Sequence, residues 1–370
     1  MFLRNEFRAP SASCHLNIGG YQRLLAILFL AVGFTAWAAN GGSPIQPGDR
    51  IALVGNTFAD QLRMHGYLET LLLQRSAGKP ISIRNLGWAG DMLTARDRPT
   101  NFPTEESTLS AHKTDVIIAC FGMGESFAGE AGLDGFKKDL EDFIASHKGK
   151  KYNGKSEVRL ILVSPIAYED LGKKTPRWEQ RNRELSAYTR TMNRVAAQAG
   201  LPFVDLNRPT ATLMEDYSAP KMTVNGVNLN DYGYWCVSRT LADALIAGPA
   251  PWKLTVDAGA VKAFGRGVNI SDVNRTDGSI RFTVTEQSWP SLGAPVKAKV
   301  HRKLESNRDT LVVRNLPSGS YRLTIDGKSV VEASDKQWAE GVAIVDSPAH
   351  QALEKYRNAI YDKNVNFVYS

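Results

Sequence analysis

Cysteine is scarce in this chain of 370 residues. There are three, Cys14, Cys120 and Cys236, too few for a disulfide framework or a cysteine-rich metal site. Histidine is also sparse, with six, and no spacing of Cys and His forms a ligand set, so neither a metal nor a cofactor is expected. Runs of Lys or Arg interleaved with aromatics are missing, and the net charge of +7 is a modest excess spread along the chain. That pattern suits a solvated surface and argues against a nucleic-acid partner. The glycine-rich run from Gly122 to Gly132 has no Gly-Lys-Ser/Thr after it, which excludes a P-loop and leaves a cleft-lining turn. Nothing in the pattern fixes an oligomeric state.

What is present is a chain 43% hydrophobic and 22% charged, long enough for a full core and for two domains. At its start a basic stretch ends at Arg23, the apolar run Leu24 to Val32 follows, and Ala36-Trp37-Ala38 offers small residues where a signal peptidase reads. Residues 1–38 are therefore expected to be a signal peptide, and the body to be periplasmic or secreted. Left uncleaved, the same run would serve as a membrane anchor. These residues hold three Arg against one Glu, so the remainder carries +5. Cys14 leaves with the signal, and spacing does not decide whether Cys120 and Cys236 pair or stay buried and free.

The remainder alternates strands and helices. Arg50 to Gly55 reads as a strand that breaks at glycine and passes straight into a helix, so Asn56 and Thr57 fall at a strand's carboxyl end beside free helix-start N–H groups. The spacing predicts a helix over 59–74, a strand over 81–85, a central strand over 115–121 buried on both faces, and a helix over 133–144. A strand over 158–163, a helix from Pro176 to Gln198, a strand over 203–206 and a helix over 231–246 follow. Such alternation implies one parallel sheet covered by helices on both faces, over residues 39–248. After Gly248-Pro249-Ala250-Pro251 short alternating stretches separated by turn residues mark a smaller β-rich domain, 252–346, as a sandwich or a sheet leaning on the first domain. A final helix, about Pro348 to Lys363, occupies 347–370. The triplets Asn269-Ile270-Ser271 and Asn274-Arg275-Thr276 read as turns.

Four loops at strand ends then read together: Gly55-Asn56-Thr57, Asn85 to Asp91, Gly122-Met123-Gly124-Glu125, and Asn225 to Asn230. Their order and context resemble the four blocks of the SGNH (GDSL-like) hydrolase family, over roughly Asp49 to Ile246. The fold implied is a flavodoxin-like α/β sheet. The run Gly122 to Gly132, Gly-Asn-Thr in the first block and Asn315-Leu316-Pro317-Ser318-Gly319 in the tail are closer to that family's branch in exported proteins of planctomycete-type bacteria. The resemblance implies an esterase or deacetylase acting on acylated carbohydrate or small esters, with a small-molecule or glycan ester as ligand.

Carried over by position, the family's serine is Thr57, its oxyanion glycine Gly90, its oxyanion asparagine Gly124, and its Asp and His are Asn225 and Asn228. Every catalytic side chain is thus substituted. A carboxamide does not titrate and cannot take a proton as imidazole does, so weak or no activity is expected. A non-catalytic glycan-binding or structural module of an envelope assembly is the alternative. Glu125 is the candidate substitute base. His65 lies roughly 12 Å along its helix from Thr57, too far to serve; His112 reads as a surface residue at the amino edge, and His301 and His350 belong to the tail. Asp60 reads as a first-turn residue and Asp91 as a loop or cap residue. Trp88, Tyr232, Tyr234 and Trp235 are either core or a stacking surface for sugar rings.

Overall fold

The structure is a computed structural model that describes residues 43–369 apart from 77, 277, 296–303 and 305–308. The expected signal peptide, Cys14 and His301 lie outside the described residues. Five short strands, β1 (Arg50–Gly55), β2 (Ser82–Asn85), β3 (Val116–Cys120), β4 (Arg159–Val163) and β5 (Phe203–Val204), form one sheet in the order β2-β1-β3-β4-β5. Every pairing in it is parallel. Alternate strand residues serve opposite faces. Ile51, Leu53, Val116 and Ile118 enter one core cluster, whereas Ala52, Val54, Ile117 and Ala119 enter the other. A strand wanted by two cores carries an unbroken apolar run, which is why β1 and β3 were legible.

The first face is covered by α1 (Thr57–His65), α2 (Tyr67–Arg75) and α7 (Asp231–Leu245), and the second by α4 (Leu133–His147) and α5 (Trp178–Ala199). The single helix expected over 59–74 is two. Gly66 takes a left-handed φ of +67°, closes α1 by donating its N–H to the Leu62 carbonyl, and opens α2. Two further helices, α3 (Glu105–His112) and α6 (Asn207–Met214), have no counterpart in the sequence reading. Only Leu109 of α3 is buried, so it shows no usable periodicity. Nor is His112, at the end of α3, a plain surface residue. Its ring is half-buried between the hydroxyls of Ser82 and Thr114, each at 3.2 Å.

Burial, helped by Arg84 and Arg50, lowers the His112 pKa from 6.5 to about 4. The unfolded chain therefore takes up this proton first. The stabilisation is complete above pH 6.5 and is lost as pH falls through about 4. His112→Asn is expected to flatten the decline of the urea midpoint over that window; an unchanged slope would refute the assignment.

The β-rich region holds a four-stranded sheet in the order β13-β10-β6-β7 and two hairpins. In it β6 (Lys253–Asp257) runs parallel to β10 (Thr310–Arg314) and antiparallel to β7 (Lys262–Arg266), and β13 (Val342–Ala343) closes the edge. The hairpins are β8 (Val268–Thr276) with β9 (Ser279–Glu286), and β11 (Ser320–Ile325) with β12 (Lys328–Ser334). Both triplets read as turns lie within β8, whose register shifts between Ser271 and Asn274, with Asp272 at a φ of +56°. A short α8 (Asp335–Glu340) begins with a Ser334/Gln337 capping box.

The last helix, α9 (Pro348–Tyr369), packs back on the α/β layer. Leu353 joins the first core cluster, and Lys363 and Asn364 both reach the Glu69 carboxylate of α2. Arg357 donates to the His65 carbonyl at the α1/α2 break and lies 4.6 Å over the Tyr67 ring. Leu292 is also tied to this layer, its carbonyl accepting from Trp235 Nε1 at 3.0 Å. No described helix is long and apolar enough to cross a membrane.

Candidate functional site

In this strand order the connections from β1 and β3 diverge to opposite sides of the sheet, which opens a crevice beyond their carboxyl ends. A cleft of about 180 Å³ occupies that place. The first strand delivers Asn56 and Thr57 to it through a tight crossing. Gly55 has φ +137°, and a Cβ there would stand 2.2 Å from the Cys120 carbonyl oxygen of β3. Asn56 then caps α1, its amide oxygen accepting from Phe58 N at 3.0 Å. Thr57, the first helical residue, presents its hydroxyl to the Gly90 N–H at 3.3 Å.

The second loop is laid along α1 by small contacts. Asn85 donates to the Ala59 carbonyl and accepts from Gly87 N, and a Cβ on Gly87 would stand 2.5 Å from Asp60 N. Asp91 is buried and held bidentately by Arg98 at 2.6 and 2.8 Å, and Arg98 also covers the Trp88 ring at 4.8 Å. The third loop is fixed from α5. Arg181 bonds both the Ser126 hydroxyl and carbonyl, while Tyr188 reaches the Gly129 carbonyl. The fourth loop hangs on Glu169, 1% exposed, which accepts from the N–H groups of Met222 and Thr223 and from the Thr223 hydroxyl. Glu169 was invisible as a functional position in the sequence, where it sits in an ordinary polar stretch.

Of the six site residues expected, Thr57, Gly90, Gly124 and Asn228 line the same cleft. Glu125 and Asn225 are not among its lining residues. The Glu125 carboxylate bridges two loops, accepting from Leu93 N at 2.9 Å and Gly122 N at 2.8 Å. Burial pushes its carboxyl up, partly countered by its own N–H and those of Leu93 and Gly122. Both oxygens thus face backbone donors, which makes Glu125 a loop brace in place of the base expected. Asn225 forms a turn, its side-chain oxygen accepting from Val227 N and Asn228 N. At Gly124 a Cβ would stand 2.9 Å from Met92 Cγ, so Met92 packs over the glycine and would have to shift for a larger side chain.

No imidazole lines the cleft among the described residues. His65 lies one ring behind the wall: it stacks on Tyr234 at 4.2 Å, and Tyr234 lines the cleft. His65 Nδ1 lies 2.8 Å from Asp231. Against the cost of burial, hydrogen bonds from His65 and Tyr67 hold the Asp231 carboxyl below its usual range. His350 is buried beside Ser347 and Asp309 under the β-rich region. Asp60 is buried and paired with Arg63. Cys120 and Cys236 are both free and buried, and burial pushes each thiol up to about 12. Tyr232 and Trp235 are core; Tyr234 is buried with one face to the cleft. Among the described residues no group of three or more His, Cys, Asp or Glu is placed to hold a metal ion.

No protein-family model and no curated protein matches the chain. Among solved structures, a gut microbial diltiazem-metabolizing enzyme is similar at 17% identity and TM-score 0.68, over 88% of this chain and 80% of that one. A catalytic mutant of an acetylxylan esterase from Geobacillus stearothermophilus aligns over 55% of this chain and 96% of its own at 18% identity and TM-score 0.43. An α/β hydrolase enzyme from the metagenome of Lake Arreo, Spain, aligns over 56% and 100% at 14% identity and TM-score 0.42. At such identities the likeness speaks for the fold: a five-stranded parallel sheet flanked by helices, with a smaller β-rich region beside it.

Proposed function

We propose that the chain is an SGNH-type hydrolase-fold protein whose cleft binds a small ester and turns it over weakly or not at all. The observation that carries this is the Thr57 hydroxyl seated against the Gly90 N–H at the head of α1, in a cleft lined by Asn228 but by no described imidazole. A hydroxyl needs a neighbouring base to attack an ester carbonyl at neutral pH. Here the backbone donors and the shape remain while the proton acceptor is gone. The order of the four loops supports SGNH kinship, including kinship with its planctomycete-type branch. The composition of residues 1–38 supports export from the cytoplasm.

Hydrolysis of a small aryl acetate by the purified protein, beside Thr57→Ala, tests the proposal. The wild-type rate is expected to stay within about 10³–10⁴ of the uncatalysed reaction, the residue left when a triad is dismantled. Thr57→Ala should remove any rate above that residue and leave the residue itself, which comes from binding and backbone donors. Turnover near the enzyme median of about 10 s⁻¹ would overturn it, as would a rate above that residue that ignores Thr57→Ala.

A further inference from the structure

We propose that the ligand of this cleft presents an aromatic or similarly sized apolar ring and not a sugar, an inference that rests on reading the cleft as an ester site. Its volume is about 180 Å³, and an apolar cavity of ~150 Å³ suffices to hold benzene. The walls suit such a group: Phe58, Phe121, Met123, Phe127, Ile166 and Val227 all line it.

The polar side chains that share those walls are largely engaged. Both Asp91 oxygens are taken by Arg98. The Ser164 hydroxyl donates to the Pro165 carbonyl and accepts from Leu206 N and Asn207 N. The Asn56 oxygen caps α1, the Tyr234 hydroxyl reaches the Phe58 carbonyl at 3.4 Å, and the Cys120 thiol is held neutral by burial. What remains for a ligand among the described side chains is the Thr57 hydroxyl hydrogen, the Asn56 amide nitrogen and the Asn228 carboxamide. Three groups satisfy one ester. A sugar ring would bring further hydroxyls for which no other side chain of the lining is free, and a buried hydroxyl left without a partner weakens binding. At the mouth Phe127 is 63% exposed, with the Arg181 guanidinium 4.0 Å from its ring centroid and Arg181 itself anchored on Ser126 and Glu184. A large apolar side chain held outward over a cleft is a contact surface for a flat ligand.

Calorimetric titration of the purified protein with toluene, acetophenone and an acetylated methyl xyloside tests this. Acetophenone is expected to bind saturably, toluene to compete with it, and the xyloside to bind at least about tenfold more weakly. Phe127→Ala removes an exposed side chain and leaves the core intact, and it should weaken acetophenone several-fold; Val227→Asp, a second lining position, should do the same. A xyloside that binds as tightly as acetophenone overturns the inference, as does no saturable binding of either aryl probe. If toluene and acetophenone bind equally and both ignore Thr57→Ala, the ring site stands and the ester reading fails.

Discussion

Gly55→Ala is expected to destabilise the protein by about 3–5 kcal/mol, a large share of the roughly 5–15 kcal/mol that holds a typical domain together. Two separate causes add. The φ of +137° is one that an L side chain rarely adopts, and the new Cβ would stand 2.2 Å from the Cys120 carbonyl oxygen, a rigid backbone atom of the paired strand. Relief requires β1 and β3 to part where Gly55 faces Cys120 in the register, next to the Asn56 N–H that bonds the same carbonyl. Gly90→Ala is the control. It too has positive φ, at +86°, but nothing lies within 4 Å of the added carbon, so only the conformational cost of about 1 kcal/mol applies. Urea denaturation of both variants measures the contrast. A Gly55→Ala midpoint equal to that of Gly90→Ala would mean that β1 does not approach β3 at Cys120 as described.

Pairing Asn225→Asp with Asn228→His should raise aryl acetate hydrolysis by about 10² or more, the usual worth of a positioned general base. Asn228 already lines the cleft with Thr57, and the Asn225 turn accepts from Val227 N and Asn228 N, bonds an aspartate keeps. Only neutral imidazole accepts a proton, so the gained rate should climb as pH rises through about 6.5. Adding Thr57→Ala to the double variant should return it to baseline. A folded double variant with no gain would show that residue 228 is not aimed at the Thr57 hydroxyl. The gain should also stay far below that of an efficient hydrolase, because Gly124 brings no side-chain donor to the cleft wall.

The sheet was legible because its strands are buried on both sides and therefore apolar throughout, as Val116 to Cys120 shows. The break at Gly66 was not, since a lone glycine within a helical pattern is tolerated, and here α9, from a distant part of the chain, packs against it. At the site, order along the chain brought Thr57, Gly90, Gly124 and Asn228 to one cleft, because strand ends in a parallel sheet share an edge. It failed for Glu125, whose place in the third loop was right and whose direction was wrong. Sequence carries no sign of which way a carboxylate turns when two loops with free N–H groups lie within reach. The His65 and Asp231 pair, 166 residues apart, was hidden for the same reason.

The seat of α9 on the far end of α1 bears on biosynthesis. Thr57 heads a two-turn helix whose other end is bound by Arg357, a residue 292 positions after the His65 carbonyl it bonds. At about 5–20 residues per second, that interval is roughly 15–60 s on the ribosome. Throughout it the helix carrying the hydroxyl lacks the partner that covers its end, so the seat of α1 is completed only after α9 has been made.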